Sequence, residues 1–136
     1  MKYSWRNMER YRDKYLDLMS RSSSLIVLDT ETTGIGAKAK VIQFAAIRYK
    51  IKDNFSLEED AAVNILINPG EKLSEKIVEI TGISDEVLSY ARTEEEEVDD
   101  IFSFLQTADL HAIYNKPFDT RMLQGMAERC GRRMPV

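Results

Sequence analysis

Hydrophobic residues at three- and four-residue spacing open the chain. Trp5, Met8, Tyr11, Tyr15, Leu18 and Met19 predict an amphipathic helix over residues 3–20, which the serines at 22–24 interrupt. The next pattern is shorter. Leu25–Thr30 is β-rich and apolar on both faces, the signature of a strand in the middle of a sheet. Thr32-Thr33-Gly34-Ile35-Gly36 reads as a turn. Val41–Ile51 and Ala62–Ile67 follow as strands, the latter closed by Asn68-Pro69-Gly70. Leu73–Thr81 is a short helix that Gly82 can terminate, and Ser84 can cap the start of another. Thr93 with Glu96 forms a capping box for a helix over residues 94–107. Leu110–Tyr114 is a fourth strand, and Lys116–Arg129 a helix that Gly131 stops. The order of helix, three strands, helices, strand and helix describes one α/β domain without repeats or a linker.

Composition narrows the chemistry. In 136 residues, 43% hydrophobic and 31% charged, there is room for a single domain with a core. No apolar run is long enough to span a bilayer, and Met1–Ser24 is too polar for a secretion leader, so a cytoplasmic location is expected. One cysteine, Cys130, excludes a disulfide framework, and one histidine, His111, leaves no Cys/His zinc site. A net charge of −4 argues against indiscriminate binding of nucleic acid, but not against local contacts to phosphates or contacts through metal ions. The acidic block Glu94–Glu97 with Asp99 and Asp100 reads as a solvated helix face.

Two short motifs carry candidate chemistry. In Asp29-Thr30-Glu31, the two carboxylates stand two apart at a strand end, so they share one face while Thr30 points to the other. Such a pair repels itself unless a cation joins it, and oxygen-only ligands favour Mg²⁺ or Mn²⁺ over zinc. A hydrated acidic pair at a strand end is the plainer alternative. In Asn115-Lys116-Pro117-Phe118-Asp119, a strand runs into a helix. Asn115 is a natural cap, Pro117 fits a first turn and Asp119 complements the helix dipole, so this motif alone says little. Together with Asp29 and Glu31, Asp119 becomes a candidate third carboxylate of one site.

These segments resemble a known family. Residues 25–34, from Leu25 through Asp29-Thr30-Glu31 to Gly34, look like the first motif of the DnaQ-like DEDD 3'→5' exonucleases of the DEDDh kind. That family includes the proofreading epsilon subunit of DNA polymerase III. Asn68-Pro69-Gly70 and Ile80–Val87 are similar to its middle segment, and Tyr114–Asp119 to its second motif, although a histidine often stands where Tyr114 does. The resemblance covers residues 24–136, with residues 1–23 as an added amphipathic helix. It implies an RNase H-like mixed sheet flanked by helices. It also implies a two-metal site of Mg²⁺ or Mn²⁺ that hydrolyses phosphodiester bonds at a nucleic-acid 3' end. Asp29, Glu31 and Asp119 would be the catalytic and metal-binding residues. Thr32, Ile35, Ile83, Asn115 and Phe118 would contact substrate, with ordinary loop anchoring the alternative for Ile35 and Ile83. The expected partners are a single-stranded 3' end, DNA ahead of RNA, and a DNA polymerase subunit or a second copy of the chain.

The family's third motif, with a histidine or tyrosine and a fourth acid, has no counterpart after Asp119. A C-terminally incomplete enzyme, a partner-completed site and a catalytically dead module that binds nucleic acid or a polymerase all follow as readings; the first is the expectation. In the third, the basic and aromatic first helix docks a partner, against the plainer expectation that Trp5, Tyr11 and Tyr15 pack it on the sheet. His111 precedes the second motif and reads as a partly exposed structural residue. An ATPase lacks its phosphate loop, a dinucleotide fold its third glycine, and an aspartic protease would need glycine where Glu31 stands.

Overall fold

Alternation along the first strand decides the layering. A computed structural model describes residues 5–135, with side chains from residue 11 onward. In it β1 (Ser24–Thr32) buries Ile26, Leu28, Thr30 and Thr32, while Val27 and Asp29 between them stay exposed. The even residues therefore face the helices and the odd residues face outward. β2 (Val41–Ile51) pairs antiparallel with β1, and β3 (Leu57–Asn68) pairs antiparallel with β2. β4 (Arg92–Thr93) and β5 (Leu110–Ile113) join in parallel at the two edges, giving the order β4-β3-β2-β1-β5. The sheet is thus mixed, and β1 is an inner strand as its composition predicts.

Parallel pairing needs a crossover, and helices supply it. α1 (Trp5–Ser20) precedes the sheet, and α2 (Glu75–Thr81) and α3 (Asp85–Ser89) follow β3. α4 (Glu94–Leu105) and α5 (Lys116–Cys130) flank β5 in sequence and cover one face of the sheet. Ile26, Leu28 and Phe44 from the strands pack there with Val98, Ile101, Phe102, Leu105, Met122, Leu123 and Met126 from the two helices. Each such side chain contributes about 1.5–3 kcal/mol relative to leaving it in water. A smaller cluster of Ile42, Leu73, Ile83 and Leu88 seats α2 and α3.

Most helix ends lie where their capping residues predict. Ser74 and Ser84 accept from Ile77 N and Val87 N, and Gly82 and Gly131 take positive φ of 71° and 64°. Thr93 and Glu96 form the reciprocal box. The acidic block on α4 is more than a solvated face. Glu94 pairs with Arg129, and Asp99 and Glu95 with Arg132, tying α4 to the end of α5.

The first helix departs from expectation. Tyr3 and Ser4, and the packing of Trp5 and Met8, lie outside the described residues. Tyr11 and Tyr15 are 53% and 59% exposed, so they do not pack the helix on the sheet as expected. Among the described side chains of α1, only Leu18 and Met19, in its last turn, are half-buried. Tyr15, Leu18 and Met19 instead line one wall of an open cavity of about 850 Å³ beside the edge strand β5. The junction behind α1 is anchored by Ser23, whose N–H and hydroxyl both donate to Asp109 at 2.7 and 2.8 Å.

Candidate active site

The end of β1 carries the first two candidate residues. Asp29 and Glu31 lie on its outward face, Asp29 exposed and Glu31 half-buried, opposite Thr30 and Thr32. The pairing of β1 with β2 slips between Glu31 and Thr32, an irregularity that bends a strand and re-aims its side chains. The loop beyond is held firmly. The Thr32 hydroxyl donates to Gly34 O at 2.6 Å, and Thr33 N to Lys40 O at 2.8 Å. Lys40 N donates to the Thr33 hydroxyl at 3.0 Å, and Lys40 Nζ to Pro69 O at 3.1 Å.

Asp119 arrives from the other direction. The parallel register sets Leu28 beside Ile113, so α5 starts next to the carboxyl end of β1. Asp119, in the first turn of α5, is 2% exposed, and its N–H donates to Asn115 O at 3.0 Å. Its carboxylate accepts a hydrogen bond from the Thr30 hydroxyl. The residue that points away from the acidic pair is therefore the one that fixes the third acid. Only the strand pairing reveals this, because Thr30 and Asp119 are 89 positions apart.

The three acids feel one another. Burial raises the Glu31 carboxyl above its ordinary range, and the charges of Asp29 and then Asp119 raise it further. Burial also raises Asp119; the Thr30 hydrogen bond opposes this, and the charge of Asp29 adds to it. A cation would relieve this mutual repulsion, and a donor set made only of oxygens fits Mg²⁺ or Mn²⁺. Among the described residues no three Asp, Glu, His or Cys side chains are gathered closely enough to hold one ion between them. Asp29 and Glu31 are the pair that fits, and Asp119 stands beside them, engaged with Thr30. The convergence expected from sequence is thus electrostatic, without a shared cluster of three ligands.

The remaining candidates divide. Ile35 is 83% exposed on the loop that follows the pair, whereas Ile83 is 9% exposed and belongs to the smaller core cluster. Phe118 is half-buried and packs against the main core. Asn115 is exposed, and although it occupies the cap position its side chain makes no capping bond. Tyr114 beside it is fully exposed. His111 Nε2 donates to Leu105 O at 2.7 Å, in keeping with its structural reading. None of Asp29, Glu31 and Asp119 lines the cavity by β5. Sequence reading also missed Arg121, whose Nη2 lies 3.4 Å from Ile35 O and whose guanidinium stands 5.6 Å from the Phe118 ring centre.

The exonuclease family RNase_T matches residues 26–135. The PolC-type DNA polymerase III of Thermotoga petrophila is 32% identical over 114 residues, covering 83% of this chain and 8% of the polymerase. That of Halalkalibacterium halodurans is 31% identical over 125 residues, covering 89% of this chain and again 8% of the relative. Among solved structures, E. coli exonuclease I in complex with a 5cy-dA13 oligonucleotide superposes with a TM-score of 0.69 at 23% identity, over 81% of this chain and 25% of that one. Cell-death related nuclease 4 gives a TM-score of 0.68 at 24% identity, over 82% and 42%. The sheet and its flanking helices have the RNase H-like fold of these nucleases. The chain spans under a tenth of the length of the polymerases it matches. Among the described residues no helix is long and apolar enough to cross a membrane.

Proposed function

Because this chain belongs to the RNase_T exonuclease family, we propose that it carries the carboxylate centre of a metal-dependent 3'→5' exonuclease acting on single-stranded DNA ends. Residues 24–136 are the exonuclease domain in this reading, and residues 1–23 an added segment that carries α1. One observation carries it: Asp29 and Glu31 share the outward face at the end of β1, and Asp119 lies within electrostatic reach of both. Asp29 and Glu31 would hold Mg²⁺ or Mn²⁺, with Asp119 as the third acidic residue. When bound, such ions stabilise charge developing on a phosphate and lower the pKa of water.

The chain's own residues prepare the site. The Thr30 hydroxyl holds the Asp119 carboxylate toward the strand end. The hydrogen bonds of Thr32, Thr33 and Lys40 fix the loop that presents Ile35. Exposed Ile35 and half-buried Phe118 offer apolar contact to a terminal nucleotide, and Asn115 a polar one. Ile83 would act only from beneath, through its core cluster. A DNA polymerase assembly is the partner that the names of the relatives support, with a second copy of the chain as the other partner and the cytoplasm as the expected location.

A second reading rests on a specific observation, the lack of a three-ligand group among the described residues. It makes the chain a module that binds nucleic acid without cutting. A 5'-labelled single-stranded DNA incubated with the chain and Mg²⁺ or Mn²⁺ separates the two. Progressive shortening from the 3' end, abolished by EDTA and by Asp29→Ala, is the expected result. Shortening that persists in Asp29→Ala overturns the assignment of the site. Binding without shortening favours the second reading.

A further inference from the structure

We propose that Arg121 is a phosphate-gripping residue for the nucleic-acid strand bound at the carboxylate site; this inference rests on the function proposed above. Arginines further along the same segment show what structural ones do in this fold. Arg129 pairs with Glu94 at 2.9 Å, and Arg132 with Asp99 at 2.9 Å. Arg121 has no carboxylate partner among the described residues and is exposed. It is nevertheless held in place. Its guanidinium lies over the Phe118 ring at 5.6 Å, and Nη2 donates to Ile35 O at 3.4 Å.

Both contacted residues neighbour the candidate acids in sequence. Phe118 immediately precedes Asp119, and Ile35 lies on the loop that leaves β1 just past Glu31. A guanidinium carries five N–H donors in a planar fork, and among the described residues only one of them is engaged. A planar cation laid on an aromatic face keeps its edge free, and that edge matches two phosphate oxygens at once. The placement also answers an electrostatic problem. A phosphodiester that approaches Asp29, Glu31 and Asp119 meets negative charge, on a chain whose net charge is −4. A cation held against Phe118 and Ile35 would lower that barrier for an approaching strand. Recognition of this kind takes the phosphate backbone of a single strand and is indifferent to base sequence.

Fluorescence anisotropy with labelled oligo-dT and oligo-dA, in Ca²⁺ and over a series of salt concentrations, tests this without depending on turnover. Loss of one phosphate contact to single strands reduces the slope of log K against log salt by about 0.7. Arg121→Ala is expected to show that reduction, with weakened binding of both oligonucleotides to a similar extent. Arg121→Lys keeps the charge and is expected to retain the slope of the unaltered chain. Equal affinity and slope for Arg121→Ala and the unaltered chain overturn the role of Arg121 while leaving the exonuclease reading intact. A slope lost equally in Arg121→Lys and Arg121→Ala also overturns it, since charge would not be the cause. Failure of the unaltered chain to bind either oligonucleotide removes the functional reading, and with it this inference.

Discussion

Asp119 is a nearly buried carboxylate, and the Thr30 hydroxyl is what makes its placement tolerable. A buried acceptor that loses its donor costs about 1–3 kcal/mol, more when charged. Thr30→Val keeps the shape of the side chain and deletes the donor, so it isolates that contribution. The expected outcome is a loss of about 1–3 kcal/mol in urea unfolding, together with slower shortening of a labelled oligonucleotide. Thr30→Ser should recover most of both. Equal stability of Thr30→Val and the unaltered chain would show that the hydrogen bond is not holding Asp119. The sequence hid this residue for a simple reason. Alternation places Thr30 on the face opposite Asp29 and Glu31, and nothing local shows that Asp119 comes up on that same side.

At the scale of elements, local signals proved the most legible. The box between Thr93 and Glu96 is visible as a four-residue pattern, and both of its hydrogen bonds form, Glu96 N to the Thr93 hydroxyl at 3.3 Å and Thr93 N to Glu96 Oε1 at 3.1 Å. Thr93→Ala should therefore destabilise the domain by about 1 kcal/mol, read from thermal or urea melts. Proton exchange should rise chiefly in the first turn of α4, and Asp29 and Glu31 should be untouched. Protection unchanged in that turn would argue that the Arg129 and Arg132 ion pairs hold α4 without its cap. Features set by tertiary pairing were less visible. β3 begins at Leu57, five residues before the apolar run that predicts it, because Leu57, Glu58 and Glu59 gain their strand character from pairing with Ile51, Lys50 and Tyr49. The two-residue β4 exists only through its bonds to Ile67 and Asn68. Tyr11 and Tyr15 follow helical periodicity faithfully but stay exposed, since periodicity marks the apolar side of a helix and not what lies against it.

At the scale of the whole molecule, the sheet gathers negative charge at one end of its inner strand β1, and the fold's stability should record that. Glu31 and Asp119 both have raised pKa values, from burial and from their acidic neighbours. A group whose folded value is raised contributes stability that is fully present below its unfolded value and is lost as pH rises through the folded one. Without divalent ions, the chain should thus lose part of its stability across the window from the ordinary carboxyl range up to the raised values of these two groups. Glu31→Gln removes one charge from the cluster, so its melting temperature in EDTA should exceed that of the unaltered chain at neutral pH, and the gap should close in acid. Mg²⁺ or Mn²⁺ should reverse the order. Binding to the folded state alone stabilises it by about 2.7 kcal/mol when the ion stands at 100 times its dissociation constant, and Glu31→Gln should forgo most of that gain. Unfolding followed in EDTA and in Mn²⁺ across pH checks both halves. A Glu31→Gln chain less stable than the original in EDTA at neutral pH would mean that the acidic cluster is not a source of strain. Equal Mn²⁺ stabilisation of the two would mean that the ion binds elsewhere. The three acids would then be a structural feature of β1 and α5, and the exonuclease reading would lose its centre.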